Sequence, residues 1–237
     1  MVEHTAKAFD VDLQELGRKV AEMGGLAEKQ LVDAVAALTR HDLDLATEVV
    51  AADAQIDDMQ REIEEKAVLT IARRQPMAVD LREIISALRI SNELERLGDL
   101  AKNVGKRVLA LEGDVSPPQL MRGLERMANL ALAQLKRVLD AYGARDVEAA
   151  LAVWKGDEEI DAMCTSLFRE TLTYMIEDPR NITFCIHVMF TAKNIERMGD
   201  HATNIAETVY YLVEGHPIPE ERPKRDTTSF GLLSVVP

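Results

Sequence analysis

Apolar residues in this chain recur at i, i+3, i+4 and i+7 in long runs and rarely alternate as a strand would require. Helical periodicity runs over residues 6–40, breaks at the HDLD of 41–44, and resumes to residue 74. It breaks again at Gln75-Pro76 and continues over 77–112. The GDVSPP of 113–118 is a cluster of helix breakers and reads as a linker. Beyond it the period returns over 119–142, 145–177 and 180–214. Short connections between long helices make neighbours antiparallel. The pattern therefore predicts an all-α protein of six long helices, arranged as two tandem pseudo-symmetric three-helix bundles over 1–112 and 119–214. The remainder, 215–237, is rich in proline and charge, and is expected to fray or dock loosely.

The two bundles are copies of one another. ELERLGDLAKNV at 93–104 reads like NIERMGDHATNI at 194–205, DAQID at 53–57 like DEEID at 157–161, and HDLDLA at 41–46 like RDVEAA at 145–150. The landmarks keep their order at offsets of 101 to 104 residues. Self-similarity at a fixed period organises the fold before any single residue does.

Each copy repeats an acidic pair at helical spacing twice: Asp53 with Asp57 and Glu95 with Asp99, then Asp157 with Asp161 and Glu196 with Asp200. On a wheel of roughly 100° per residue, Ile195, Met198, Ala202, Ile205, Val209 and Leu212 form one apolar stripe. Glu196, Asp200, Asn204 and Glu207 fall across from it. In the first copy Leu94, Leu97, Leu100, Ala101, Val104 and Val108 face away from Glu95, Asp99 and Asn103. The acids are thus expected on an outer face. Carboxylates four apart repel mildly, and a shared cation would turn that repulsion into ligand strength. If neighbouring helices bring the pairs together, each bundle presents four carboxylates in one patch. Oxygen-only donors suit Mg²⁺, Ca²⁺ or Mn²⁺ and accept Fe or Zn less selectively. A solvated helix face retained from a shared ancestor explains the same pairs, and spacing alone leaves both readings open. Gly98 and Gly199, between stripe and acids, allow either a close helix approach or access to an ion. Arg96 and Arg197 directly follow the glutamates, so they face a neighbouring helix or a partner instead.

Composition narrows the function classes. Aromatics are only 4% of the chain while Ala, Leu, Glu and Arg abound, which favours helix over sheet. A formal net charge of −13 argues against binding the phosphate backbone of nucleic acid. No run approaches the roughly 18 apolar residues of a membrane span, and the N-terminus lacks a signal-peptide core. Cys164 and Cys185 fit a reducing interior, so the expected location is the cytoplasm. No Glu-x-x-His motif, phosphate loop or partnered cysteine nucleophile is present. His201 reads as a lone surface histidine, and Met23, Met59, Met127, Met163 and Met198 as core filler.

The doubled E-R-x-G-D-x-A-x-N, at Glu95 to Asn103 and Glu196 to Asn204, resembles the PhoU family of phosphate-uptake regulators. So do the preceding D-x-x-x-D pairs, the Pro-x-x-x-Asp-Leu-Arg from Pro76 to Arg82, and Ala21-Glu22-Met23-Gly24. The resemblance implies tandem three-helix bundles that bind metal ions, in some members as multinuclear iron or zinc clusters, through E(D)-x-x-x-D motifs; with the oxygen donors above, the expected cofactor is a divalent ion, Mg, Mn, Fe or Zn. Those motifs map onto Asp53, Asp57, Glu95, Asp99, Asp157, Asp161, Glu196 and Asp200. It implies no enzymatic activity. Instead it implies restraint of phosphate import and phosphate-starvation signalling, by linking the ATPase subunit of the phosphate ABC transporter to a membrane sensor histidine kinase. The second copy departs at Thr183-Phe184-Cys185, where the first has Asp80-Leu81-Arg82, so a partner contact through Asp80 and Arg82 would belong to one half. A homodimer, peripheral to the membrane through its partners, is the expected assembly. Two competing readings are a metal-independent scaffold docking basic partners through its acidic face, and metal-assisted phosphate-ester hydrolysis at the carboxylates.

Overall fold

The computed structural model describes residues 2–111, 118–220 and Arg222. Among these, seven α-helices follow in order: α1 (Val2–Arg40), α2 (Leu43–Arg74), α3 (Val79–Ala110), α4 (Pro118–Ala144), α5 (Val147–Lys155), α6 (Asp157–Glu177) and α7 (Ile182–Glu214). A 3₁₀ turn at Pro179–Asn181 precedes α7. Helices α1–α3 pack on one another, as do α4–α7, giving two tandem bundles. Most of the predicted linker, residues 113–117, lies outside the described residues.

The turn that follows the first helix of each copy is built twice from the same parts. His41 and Arg145 both adopt the left-handed backbone, at φ 54°. The next residue then caps the following helix: Asp42 accepts from the Leu45 amide and Asp146 from the Ala149 amide, each at 3.0 Å. An aspartate in this place satisfies one of the orphan amides of the first turn. The second connections differ. Gln75 and Ala78 have positive φ, so α3 begins at Val79 rather than at Met77. In the second copy Asp178 caps the Pro179 turn instead.

Six helices were expected and seven are seen, because the middle helix of the second copy breaks at Gly156. The Gly156 amide donates to Val153 O, three residues back rather than four, and its carbonyl accepts from Gln134 Nε2 at 2.9 Å. The first copy has Ala52 at the matching position, and α2 runs through without interruption.

One apolar core runs through both bundles, from Leu16, Val20 and Met23 on α1 to Ile205 and Val209 on α7. Met127 and Met198 are buried as filler; Met59 and Met163 are half-buried against the core. The bundles join where α3 lies along α7 and α1 meets α4. Arg89 stacks over the Tyr211 ring at 5.0 Å and Arg107 over Phe190 at 4.3 Å, so α3 and α7 run antiparallel. Gly24 on α1 admits Leu139 of α4, whose Cδ2 would stand 2.9 Å from any Cβ there. The two copies of the repeated acidic motif therefore sit on helices that touch.

Candidate metal-binding clusters at the helix seams

In the first copy the four acids converge where α2 packs on α3. The Lys102 ammonium, one turn after Asp99, bridges Asp53 and Asp99, with 2.9 Å to the Asp99 Oδ1. Burial pushes the Glu95 carboxyl up, and the charges of Asp99, Asp57 and Asp53 push it further, so the other three acids all lie within reach of Glu95. In the second copy Asp157 and Asp200 meet at the Arg222 guanidinium, 2.7 Å and 2.6 Å away. Burial raises the Asp157 carboxyl; Arg222 offsets part of this, while Asp200 and Asp161 add to it. Glu196, one turn before Asp200, accepts from Lys193 at 2.8 Å.

The expected outer face is a seam instead. Asp57, Asp99, Glu95 and Asp200 keep partial exposure, but Asp53, Asp157, Asp161 and Glu196 are buried. A wheel places a residue relative to its own helix's stripe and ignores the flank of the neighbour. Here α2 and α6 lean over the glycines of α3 and α7. A Cβ at Gly98 would stand 3.0 Å from Ile56 Cδ1 and 3.4 Å from Asp53 Oδ1. At Gly199 the corresponding distances are 3.0 Å to Ile160 and 3.3 Å to Asp157 Oδ1. The two readings of these glycines are thus one: the close approach is what carries the acids into the seam.

Two glutamines without a motif of their own complete the geometry. Gln30 donates its Nε2 to Val49 O at 3.0 Å, as Gln134 does to Gly156 O. That donation fixes each amide, so Gln30 Oε1 lies 3.1 Å and Gln134 Oε1 3.5 Å from where the Gly98 and Gly199 Cβ atoms would be. Gln30 Oε1, Gln134 Oε1 and Asp53 Oδ1 are buried with no hydrogen-bond donor. An acceptor left so is costly unless a proton, water or cation answers it. The sequence does hold a signal for them: both glutamines precede a leucine, at the same offset of 104 that separates Asp53 from Asp157.

These oxygen donors fit a hard cation by chemistry and by their unanswered lone pairs. Among the described residues no three acid, histidine or cysteine groups are gathered tightly enough to hold an ion as they stand. Lys102 and Arg222 occupy the space between the carboxylates.

Other expectations change. His201 is buried, and its Nδ1 meets Glu93 Oε2 at 2.7 Å across the α3–α7 interface. Asn204 donates to the same oxygen at 2.9 Å. Burial alone would raise the Glu93 carboxyl; the hydrogen bonds from His201 and Asn204 outweigh it and hold it below the usual value. Of the expected loose tail, Ile218 packs against the core and Arg222 bonds to Asn204 of α7, while residues 221 and 223–237 lie outside the described residues. Cys164 and Cys185 are buried thiols, and Arg96 and Arg197 are exposed.

The PhoU domain model matches this sequence twice, over residues 20–108 and 124–209, one match for each copy. The chain belongs to the PhoU family. A "Phosphate-specific transport system accessory protein PhoU homolog" of Rhizobium meliloti (strain 1021) is 58% identical over 226 residues, covering 95% of each chain. One of the same name from Caulobacter vibrioides is 50% identical over 229 residues, covering 97% of this chain and all of the relative. The crystal structure of PhoU from Pseudomonas aeruginosa superposes with a TM-score of 0.83 at 40% identity, covering 88% of this chain and 100% of that one. The regulatory protein PhoU from Streptococcus pneumoniae superposes at 0.82 with 28% identity, covering 89% and 99%. Among the described residues no helix is long and apolar enough to cross a membrane.

Proposed function

We propose that this PhoU-family chain is a regulatory accessory protein of the phosphate-specific transport system. It restrains phosphate uptake and phosphate-starvation signalling from the cytoplasm, linking the transporter's ATPase subunit to a sensor histidine kinase. Its role is regulatory rather than catalytic. It carries divalent cations at its two acid clusters, held by Asp53, Asp57, Glu95 and Asp99 and by Asp157, Asp161, Glu196 and Asp200. Gln30 and Gln134 add a neutral oxygen to each.

The observation that carries the cation assignment is the repetition, at equivalent seams, of a buried glutamine oxygen with no donor beside a buried aspartate of the acidic pair. Such a cation would supply positive charge that ties α2 to α3 and α6 to α7, so the relative position of the helices becomes sensitive to its presence. The family membership and the names of the relatives support the transport role.

The test is genetic and chemical together. Deletion of the gene should derepress phosphate uptake, and the intact gene should restore restraint. A version with the eight acids changed to Asn or Gln should fold yet fail to restore it. Full restraint by a folded protein free of metal would remove the ion from the mechanism. One observation favours the second reading, a metal-independent scaffold for basic partners: Lys102 and Arg222 show that basic side chains fit both clusters. That reading requires salt-sensitive partner binding that ignores chelators.

A further inference from the structure

The two clusters are equivalent in their acids and different in their counter-ion. The first is answered by Lys102, fixed on α3 beside the aspartate it pairs with. The matching residue of the second copy is Thr203, whose hydroxyl donates back to Gly199 O at 3.0 Å and brings no charge. Lys193 on α7 pairs with Glu196, and the charge that answers Asp157 and Asp200 arrives from the tail instead. Gly215, at φ +81°, ends α7 and turns the chain back. His216 meets the Tyr210 ring edge-on at 5.6 Å, and Pro217, Ile218 and Glu220 line a groove of about 380 Å³ together with Glu93, Glu207 and Tyr211. Arg222 then enters the cluster. Its Nη2 donates to Asp157 and Asp200, its Nη1 to Asn204 Oδ1 at 3.3 Å, and its side chain keeps only 17% of its exposure.

We propose that Asp157, Asp200 and Asn204 form a guanidinium-binding site for the chain's own tail, and that a divalent cation reaches the second cluster by displacing Arg222. This rests on the cation reading of the clusters above. The two occupants exclude each other, since a cation bound at about 2.0–2.6 Å from the same carboxylate oxygens would sit in the space of the guanidinium and repel it. Cation binding at the second bundle therefore frees residues 215–220 and Arg222 from the α3–α7 groove. At the first bundle the displaced group stays tethered to its own helix, and no segment is released. A cation signal is thereby written into tail position by one copy of the repeat only.

The experiment uses the full chain, stripped of metal and titrated with Mn²⁺ by calorimetry, with the first cluster silenced by Asp53→Asn and Glu95→Gln. Arg222→Gln should tighten Mn²⁺ binding at the second cluster by about ten- to a hundred-fold, because the ion no longer has to break a charge-assisted hydrogen bond to enter. Arg222→Lys should fall between. Hydrogen exchange at 215–222 should rise when Mn²⁺ saturates the protein, and also without metal in Asp157→Asn. If Mn²⁺ binds with equal affinity whether or not Arg222 is present, or leaves the tail's exchange unchanged, the proposal is overturned while the cation reading stands. If Mn²⁺ binds neither the unsubstituted chain nor any variant, Arg222→Gln included, both are overturned together.

Discussion

Removing Lys102 exposes the energetic logic of the first cluster. Its ammonium bridges Asp53, whose side chain is 6% exposed, and Asp99, which is 49% exposed. Truncating one partner of a fully buried ion pair costs about 3–5 kcal/mol. Lys102 is itself 25% exposed, and water already screens Asp99, so the cost falls chiefly on Asp53. We expect Lys102→Ala to lower stability by about 2 kcal/mol in the presence of a chelator. If the seam is a cation site, the variant gains more from metal than the wild type does, because the ion no longer competes with an ammonium. Mn²⁺ at about a hundred times its dissociation constant would return about 2.7 kcal/mol. Urea unfolding followed by Trp154, the chain's one tryptophan and buried on α5, reads both quantities. A Lys102→Ala protein as stable as wild type in chelator would refute the account of the pair. Equal stabilisation of both proteins by Mn²⁺ would refute the shared site.

His201→Ala should destabilise the protein by about 1–3 kcal/mol by leaving the half-buried Glu93 with Asn204 alone; a double-mutant cycle with Glu93→Gln in urea should show coupling between them. Gly105→Ala should cost about 1–2 kcal/mol despite alanine's better helix propensity, because the new Cβ would stand 3.1 Å from the Ala46 carbonyl oxygen, a backbone atom; thermal unfolding checks the sign. Burial, reinforced by Glu83, pushes the Tyr142 phenol up to about 12. A phenol ionising later in the folded state gives stability that is fully present below the unfolded value of about 10 and lost as pH rises toward the folded one. Tyr142→Phe should therefore retain on the order of 2 kcal/mol more of its neutral-pH stability at high pH than wild type does, measured by urea unfolding across that range.

How much of this was legible depends on how many helices a feature involves. The duplication and the helices follow from repeats and periods along the chain, and these read them apart from the break at Gly156 and the later start of α3. The cap at Asp42 recurring at Asp146 is the same kind of feature. The burial of Asp53 and Asp157 involves two helices, and a single wheel contains no information about the second. Gly156 was readable as a break, since it stands directly before Asp157 where the first copy has alanine. Gln30 and Gln134 were readable by extending the repeat alignment into the first helix of each copy. His201 was misplaced because its partner, Glu93, lies 108 residues away on a helix of the other copy. Arg222 had no local signal at all: a proline-rich, charged stretch looks loose until the surface it reaches is known, and here that surface is acidic.

The most direct measurement is metal content by mass spectrometry after equilibrium dialysis against Mn²⁺, comparing wild type with Asp53→Asn/Glu95→Gln, with Asp157→Asn/Glu196→Gln and with all four changes together. The account predicts that each pair abolishes one site and that the fourfold variant, still folded by its helical signal, binds none. Undiminished Mn²⁺ in the fourfold variant, or none in the wild type, would contradict it.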